Sequence, residues 1–591
     1  MHETILIEPG IYKSVDNKTT VLIRSNDKEP PKIPIKGLAV EVNNFETFNT
    51  LPMSSNEDIT KDAIGNLIRT GHLSPYEKNQ LIDLIARHQN TLLKTNEKLT
   101  ASTAMKHGII THDEQPVYTK SYRYPHSFKK DVEDQIQELL DHGIIQHSIS
   151  PYSAPVWVVP KKANASGKRK VRVVIDYRKL NEKTINDKYP IPQIEEILDN
   201  LGKSMYFTTL DLKSGFHQIE MEPKHREKTA FSTAQGHFEF TRMPFGLKNA
   251  PATFQRAMNC VLAGYIGTIC YVYLDDIIIT GHSLQNHLEN VSKVLERLTK
   301  FNLKIQLDKC EFLRRETEFL GHIITPDGIK PNPNKISKIK EWQVPKSQKE
   351  IKQFLGLTGY YRRFIKDYSK ITKPLTKYLK KGTDVQVDNT EYQLAFRNLK
   401  EIISSDQILA YPDFKLPFIL TTDASNYALG AVLSQIQEKA ARPIAFASRT
   451  LNKTEVNYST TEKEALAIIW AINKFKPYLY GTKFQLLTDH KPLTFIHTST
   501  KNSKILRWRL ELANYDYEIS YKTGKANVVA DALSRKVEIN SNVLENNVNT
   551  TVADNGTEQS VHDTAHSAGT SDDFFIHFTE RPINNYRNQI I

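Results

Sequence analysis

Two adjacent aspartates between apolar runs constrain this chain more than any other feature. Tyr-Leu-Asp-Asp at 273–276 stands between the run from Ile269 to Leu274 and the run from Ile277 to Ile279, the pattern of two buried strands joined by a tight connection. Such a hairpin carries two carboxylates at one tip. Aspartate is also a common turn residue, so the pair alone is equally well a turn. Sixty-four residues before Asp275, Thr-Leu-Asp-Leu-Lys-Ser-Gly-Phe at 209–216 places Asp211 at the end of a further apolar strand, where it could simply cap the Lys-Ser-Gly turn. Taken together, three carboxylates on strand ends are hard oxygen ligands of the kind that two divalent ions about 3.5–4 Å apart require. Phosphoryl transfer asks little of a protein beyond such positioning and charge neutralisation.

A second acidic set lies downstream. Asp423 follows the apolar strand Phe418-Ile419-Leu420, Asp489 ends another at Leu487-Thr488, and Asp531 lies in Ala-Asp-Ala-Leu-Ser-Arg at 530–535. Glu464 opens a segment whose apolar positions Ala465, Ile468, Ile469, Ile472 and Phe475 keep a helical period. Thr461 with Glu464 reads as a capping box, but Ser459 with Glu462 offers the same box two residues earlier and leaves Glu464 free. Each of these acids read singly is a structural residue.

Length and composition set the frame. The 591 residues correspond to about four domains. A 39% hydrophobic and 25% charged composition with mean hydropathy −0.47 is that of soluble globular protein. The longest nearly uncharged stretch, Val261 to Leu274, has 14 residues, short of the roughly 20 a membrane helix needs. Glu3 and Glu8 spoil a secretory signal. Three cysteines with no CxxC pair exclude a disulfide scaffold or a cysteine-ligated zinc finger and suit a reducing compartment.

The net charge of +12 is unevenly placed. Residues 331–381 hold 14 Lys+Arg against 3 Asp+Glu, with Trp342, Phe354, Tyr360, Tyr361, Phe364, Tyr368 and Tyr378 threaded among them. Basic groups neutralise phosphates and aromatic faces stack on bases; a solvated basic helix pair packed on its own aromatics is the plainer reading. Residues 536–591 reverse the sign, with 3 basic and 8 acidic residues in an Asn/Ser/Thr-rich stretch that reads as a disordered tail. Periodicity predicts helices over 74–94 and 131–142, strands at Val156–Val159 and Val171–Ile175 joined by a turn at Ser166-Gly167, and a helix opening at Asn249-Ala250-Pro251.

Asp211 in LDLKSGFHQI, the run MPFGLKNAPATFQRAM at 243–258, YLDD at 273–276 and FLGH at 319–322 stand in the order seen in reverse transcriptases, with SPYSAPVWVVPKK and VRVVIDYRKLN before them. From Thr111 to Arg535, about 70% of the chain, the sequence resembles the polymerase region of gypsy-class LTR retrotransposons. The resemblance implies a multidomain α/β and α+β fold: a right-hand polymerase of fingers, palm and thumb/connection, then a ribonuclease H-like α/β domain. The expected divisions are 1–105, an extension of unknown role; 106–330, fingers and palm; 331–412, thumb/connection; 413–535, the ribonuclease H-like domain; and 536–591, the tail.

The same resemblance implies roles. Asp211, Asp275 and Asp276 would bind the metal ions and run nucleotide addition. Arg172 matches the fingers arginine that meets the triphosphate, and Lys162 its lysine partner. Phe216 matches the bulky residue that blocks a ribose 2′-OH, with plain core packing as its alternative. Gly246 and Tyr273 fall among the substrate-binding residues, and Phe319, Leu320 and Gly321 in the primer grip. Asp423, Glu464, Asp489 and Asp531 resemble the acidic set of the ribonuclease H unit, which cleaves the RNA strand of an RNA–DNA hybrid with two Mg²⁺ ions. Two sequence departures are plain: Phe245 stands where retroviral relatives carry Gln, and Tyr521 where many ribonucleases H carry His.

The implied cofactor is Mg²⁺, two ions at each site, with Mn²⁺ as a substitute. The implied partners are an RNA template, a DNA primer, the RNA–DNA hybrid, dNTPs and a tRNA primer, with no membrane. The expected location is the cytoplasm, within virus-like particles, with access to the nucleus. No Asp-Ser-Gly or Asp-Thr-Gly marks a protease, and no integrase core follows Arg535. A catalytically idle nucleic-acid-binding relic is the rival reading, and a host telomere-type polymerase a third, weakened by the fused ribonuclease unit.

Overall fold

The computed structural model describes residues 59–93, 97–160, 171–202, 204–380, 382–405, 407–495 and 503–522, together with four two-residue strands before residue 25. Lys162, the Ser166-Gly167 turn, Asp531 and the acidic tail lie outside the described residues. Two units are distinguished, Met1–Ser520 and Tyr521–Ile591, and of the second only Tyr521 and Lys522 are described.

The palm is a four-stranded antiparallel sheet in the order Cys270–Tyr273, Asp276–Gly281, Tyr206–Asp211, Glu311–Arg314. Its central strands are buried along Ile277, Ile278 and Ile279, so they read as continuous apolar runs. Helices Ala250–Val261 and Leu284–Lys300 pack against it; Ser283 caps the second by accepting from the Asn286 amide. The strand pair Val156–Pro160 and Val171–Ile175 forms as the sequence pattern predicts, with Val159 opposite Arg172.

The helical stretch 74–94 is shorter than its periodicity suggests. Ser74 and Glu77 form a reciprocal capping box ahead of helix Pro75–Arg87, which gives way to a 3₁₀ turn at Gln89–Thr91. The helix buries Leu81, Leu84 and Ile85 in the same core as the palm residues Leu210, Ile277 and Leu295. The Ile305 amide donates to the Thr91 carbonyl at 2.8 Å. The polymerase core therefore runs without a break across the 105/106 division drawn from sequence.

Beyond the palm, strands Thr317–Phe319, His322–Thr325 and Gly328–Pro331 make a small antiparallel sheet, followed by helices Gln348–Tyr360, Tyr368–Thr376 and Thr390–Ser404. Here the structure corrects the base-stacking reading of the aromatics. Phe354, Tyr361, Phe364 and Tyr378 are 0–3% exposed and form the core of this region; of the seven aromatics only Tyr360 is exposed, at 43%. Ile351, Phe354 and Thr358 share the buried face of the first helix, while Lys352 on the other side is exposed.

The last region is a five-stranded sheet in the order Ala440–Thr450, Ala428–Gln437, Phe418–Ala424, Phe484–Thr488, Tyr517–Tyr521. Phe418–Ala424 runs antiparallel to Ala428–Gln437 and parallel to Phe484–Thr488. Helix Thr460–Lys474 lays Ala465, Ile468 and Ile472 into its core. Backbone bonds tie the segment leading into this sheet to both sides: Ile329 and Leu409 exchange amide hydrogen bonds of 2.9 and 3.0 Å, and the Ala410 amide donates to the Pro443 carbonyl at 2.8 Å. Gly328, at φ +150°, lies so close that an added Cβ would stand 2.3 Å from the Leu409 carbonyl oxygen. Gly328→Ala should accordingly destabilise the protein by about 2 kcal/mol or more, read as a lowered denaturant midpoint; an unchanged midpoint would refute this close approach.

Candidate active sites

The first acidic cluster is set by strand register. Asp276 pairs opposite Asp211 in the palm ladder and opposite Tyr273 across the hairpin, so the turn consists of Leu274 and Asp275. Leu274 adopts φ +53°, a left-handed conformation that costs an ordinary residue about 1–2 kcal/mol. Its amide donates to the Gln255 side chain at 2.8 Å, which fixes the turn from the neighbouring helix. Oδ1 of Asp275 is buried without a hydrogen-bond partner. Burial, then Asp276 and Asp211, push the Asp275 carboxyl up to about 6. Asp276 shifts the same way through desolvation, Asp211 and Glu318, and Asp211 is raised chiefly by burial. Among the described residues the nearest cation to Asp211 is half-exposed: Lys309 Nζ stands 3.8 Å from its Oδ1. Carboxyls raised by burial and by neighbouring acids around an orphaned oxygen are what a divalent cation would relieve.

Around this tip, Phe216 is half-buried, stacked on Phe245 at 5.1 Å and tilted against Phe254 at 5.3 Å. Phe245, the residue that departs from the retroviral pattern, is 52% exposed. Arg172 is exposed on its strand. Gly246, at φ +91°, presents its carbonyl to Asn181 Nδ2 at 2.8 Å. Tyr273 is half-buried against the core of the helical region. Phe319 is only 3% exposed, so the hairpin beyond it offers backbone rather than that ring. Leu320 and Gly321 form its two-residue turn, both at positive φ. Their carbonyls accept from Tyr360 Oη at 2.6 Å and Tyr361 Oη at 2.8 Å.

The second cluster lies on the five-stranded sheet. Asp423 ends its strand beside Ala424, Asp489 follows the parallel neighbour Phe484–Thr488, and Glu464 reaches in from the helix. One carboxylate oxygen from each lies within 4.8 Å of the others. The helix is capped by Ser459 and Glu462, which leaves Glu464 available: its Oε1 accepts from the Ala424 amide at 3.2 Å and its Oε2 is buried without a partner. Glu464 is 5% exposed. Burial first, then Asp489 and Asp423, push it up to about 8; Asp489 is raised by burial and by Asp423. This donor set of hard oxygens with an unsatisfied buried lone pair fits a divalent cation. His490, beside Asp489, is held by Thr461 Oγ1 at 2.9 Å.

Residues 159–324 match the family model of reverse transcriptase (RNA-dependent DNA polymerase), and 413–515 that of the RNase H-like domain found in reverse transcriptase. The chain is 50% identical over 540 residues to the retrovirus-related Pol polyprotein from transposon 297 of Drosophila melanogaster, covering 91% of this chain and 49% of that protein. It is 44% identical over 529 residues to the Pol polyprotein from transposon gypsy of the same organism, covering 87% and 49%. The chain belongs to the Pol family of gypsy-class retrotransposons. It spans about half the length of these relatives. A foamy viral protease-reverse transcriptase solved in complex with dsDNA shares the fold, at a TM-score of 0.71 and 23% identity over 80% of this chain and 99% of that one. In this Pol chain the two matched segments carry one acidic cluster each, and both domain families are divalent-metal-dependent.

Some neighbours of these sites carry no motif: Lys309 and Glu318 are not marked by any local pattern. Gln255 lies within the run at 243–258, but nothing in that run shows that it holds the Leu274 amide. Asp367, from the helical region, stands close enough to Asp423 for the two charges to interact, and no sequence spacing relates them.

Proposed function

We propose that this chain is an RNA-directed and DNA-directed DNA polymerase that copies retrotransposon RNA, with a ribonuclease H activity on the RNA strand of RNA–DNA hybrids. One observation carries the reading: two separate acidic clusters, each holding a buried carboxylate oxygen with no partner, stand on two different sheets. Asp211, Asp275 and Asp276 would hold Mg²⁺, with Mn²⁺ as a substitute, at the first; Asp423, Glu464 and Asp489 at the second, with Asp531 completing the set. Ions held there would supply activation of the attacking oxygen and stabilisation of the leaving one. The chain's own contribution is position. Gln255 holds the strained Leu274 turn that aims Asp275, and the Ala424 amide orients Glu464. Arg172 and Lys162 would meet the triphosphate, while Gly246, Tyr273 and the Phe319–Gly321 hairpin would lie along dNTP and primer. The partners proposed are an RNA template, a DNA primer, the hybrid and dNTPs, with a tRNA to begin synthesis. The proposed setting is a cytoplasmic virus-like particle, with nuclear access.

The deciding experiment is primer extension on an RNA template with dNTPs and Mg²⁺, run beside cleavage of a labelled hybrid. Both activities are expected. Neither, from protein that melts cooperatively and binds hybrid, would establish the idle relic instead. Phe216 gives a sharper prediction. Its ring is braced by Phe254 and Phe245 and stays partly exposed, which is compatible with a steric block under a sugar. Phe216→Ala should weaken discrimination against rNTPs by about 10–200-fold, the scale set by filling or emptying a small pocket. Unaltered sugar selection in single-nucleotide incorporation would make Phe216 a packing residue.

A further inference from the structure

Three regions of the chain meet at one buried carboxylate. Asp199 ends helix Ile194–Asp199 on the palm side, Arg363 sits in the turn Arg362–Phe364, and Tyr478 in the short helix Lys476–Leu479 of the RNase H-like region. Arg363 Nη2 donates to Asp199 Oδ1 at 3.1 Å, and the Tyr478 hydroxyl donates to Asp199 Oδ2. The Arg363 and Asp199 side chains are only 9% and 10% exposed. The Tyr478 ring lies parallel to Phe414 and edge-on to Phe418, so the hydroxyl is fixed by the nuclease core itself.

This cluster is a poor source of stability. Arg363 Nε and Nη1 are buried with no partner, and a buried ion pair with unmet donors often gains nothing over well-packed apolar side chains. What it does supply is geometry, and its neighbours in sequence extend that geometry both ways. Just before it, Tyr360 and Tyr361 hold the carbonyls of the Leu320–Gly321 turn near the polymerase site. Just after it, the Ser369 amide donates to Ser448 Oγ at 2.8 Å on the nuclease sheet. Asp367 fits against Gly430, where an added Cβ would come 2.5 Å from its Oδ1; Gly430 is the ladder partner of Asp423. One short segment thus touches the primer-side hairpin, the palm and the edge of the nuclease site.

The geometry points to Asp199, Arg363 and Tyr478 as positioning residues that fix the distance, counted in nucleotides, between the primer terminus at the polymerase site and the RNA bond cut at the nuclease site. This rests on the bifunctional reading above. Neither set of reacting groups is touched by the three residues, so they act only through the placement of one site relative to the other. Placement is exacting, because one nucleotide is about 3.4 Å along a strand and an ångström of misplacement already lowers rates.

The test uses the full chain and an RNA–DNA hybrid with a recessed primer terminus and end-labelled RNA, without dNTPs, so that cuts are mapped from the terminus. Wild type should cut in a narrow window. Tyr478→Phe, which keeps the ring and the ion pair, and the paired change Asp199→Leu with Arg363→Met, which keeps packing without charge, should widen or shift that window by about one or two nucleotides. Incorporation, and total cleavage of hybrid lacking a primer terminus, should stay at wild-type rates, a combination that simple loss of structure would not give. An unchanged window in the paired variant overturns the proposal, and so does a wild-type window unrelated to the terminus. Should the paired variant not fold, an unchanged window in Tyr478→Phe overturns it equally. Absence of both activities in wild type would instead defeat the bifunctional reading, a distinct result.

Discussion

Asp275→Asn should abolish dNTP incorporation while hybrid cleavage continues, and Asp489→Asn should do the reverse. The two acids stand on different sheets, each among its own acidic neighbours: Asp276 and Asp211 for the first, Asp423 and Glu464 for the second. Asn keeps the shape and removes the charge, so the local fold is spared. In the metal-free protein the change even relieves repulsion, since Asp275 is pushed up to about 6 partly by its acidic neighbours. The loss therefore falls on cation binding and transition-state charge. Such charge stabilisation is worth several kcal/mol, so a deficit of roughly 10³-fold or more is expected at 1.36 kcal/mol per decade. Single-nucleotide incorporation and cleavage of a labelled hybrid, measured on the same preparations, give the answer. Loss of both activities in both variants, with wild-type melting, would rule out two independent sites.

The legible part of these sites is the part written locally. Strand ends announce themselves by apolar runs stopping at an acid, and the competing capping boxes at 459–464 were resolvable from spacing: Ser459 takes Glu462 and frees Glu464. The order of six acids now found in two clusters was likewise visible, while Asp531 lies outside the described residues. What sequence does not carry is the support. The Leu274 turn depends on Gln255, and the Asp199 cluster joins residues 164 and 279 positions apart; no periodicity connects such partners. The basic stretch misleads for a related reason. Its helices are amphipathic, with lysines outside and aromatics inside, so charge and rings that alternate in sequence separate onto opposite faces in space. Composition records the mixture and loses the sides. The early chain misleads in the opposite way: Pro75–Arg87 has no chemistry and so looks like an appendage, yet its apolar face completes the palm core.

Stripped of metal, the protein should lose stability relative to Glu464→Gln as the pH rises from about 6.5 to 8. The folded-state Glu464 carboxyl is pushed from 4.5 to about 8 by burial and by Asp489 and Asp423. Between those values the native protein keeps a proton that the unfolded chain has released, so unfolding is favoured as pH increases. The contribution is fully present below about 4.5 and lost as the pH passes about 8. Other groups titrate in this window too, and they cancel only in the comparison of the two proteins. His107, His217, His287 and His322 are lowered to about 4 by burial, so they stay neutral in the native state while the unfolded chain's histidines titrate in the ordinary range, which adds stability as the pH rises through it. Asp275, at about 6, carries the sign of Glu464 but acts mostly below the window. One group contributes at most about 1.4 kcal/mol per pH unit, enough to move the melting temperature by a few degrees at this size. Saturating Mg²⁺ should remove the slope due to Glu464, because a cation selects the ionised carboxylate and its binding expels the proton, so stabilisation by metal grows with pH. Thermal melts at pH 6.5 and 8, in chelator and in Mg²⁺, for wild type and Glu464→Gln read all four terms. Parallel slopes in the two proteins would mean that Glu464 is already ionised in the metal-free native state.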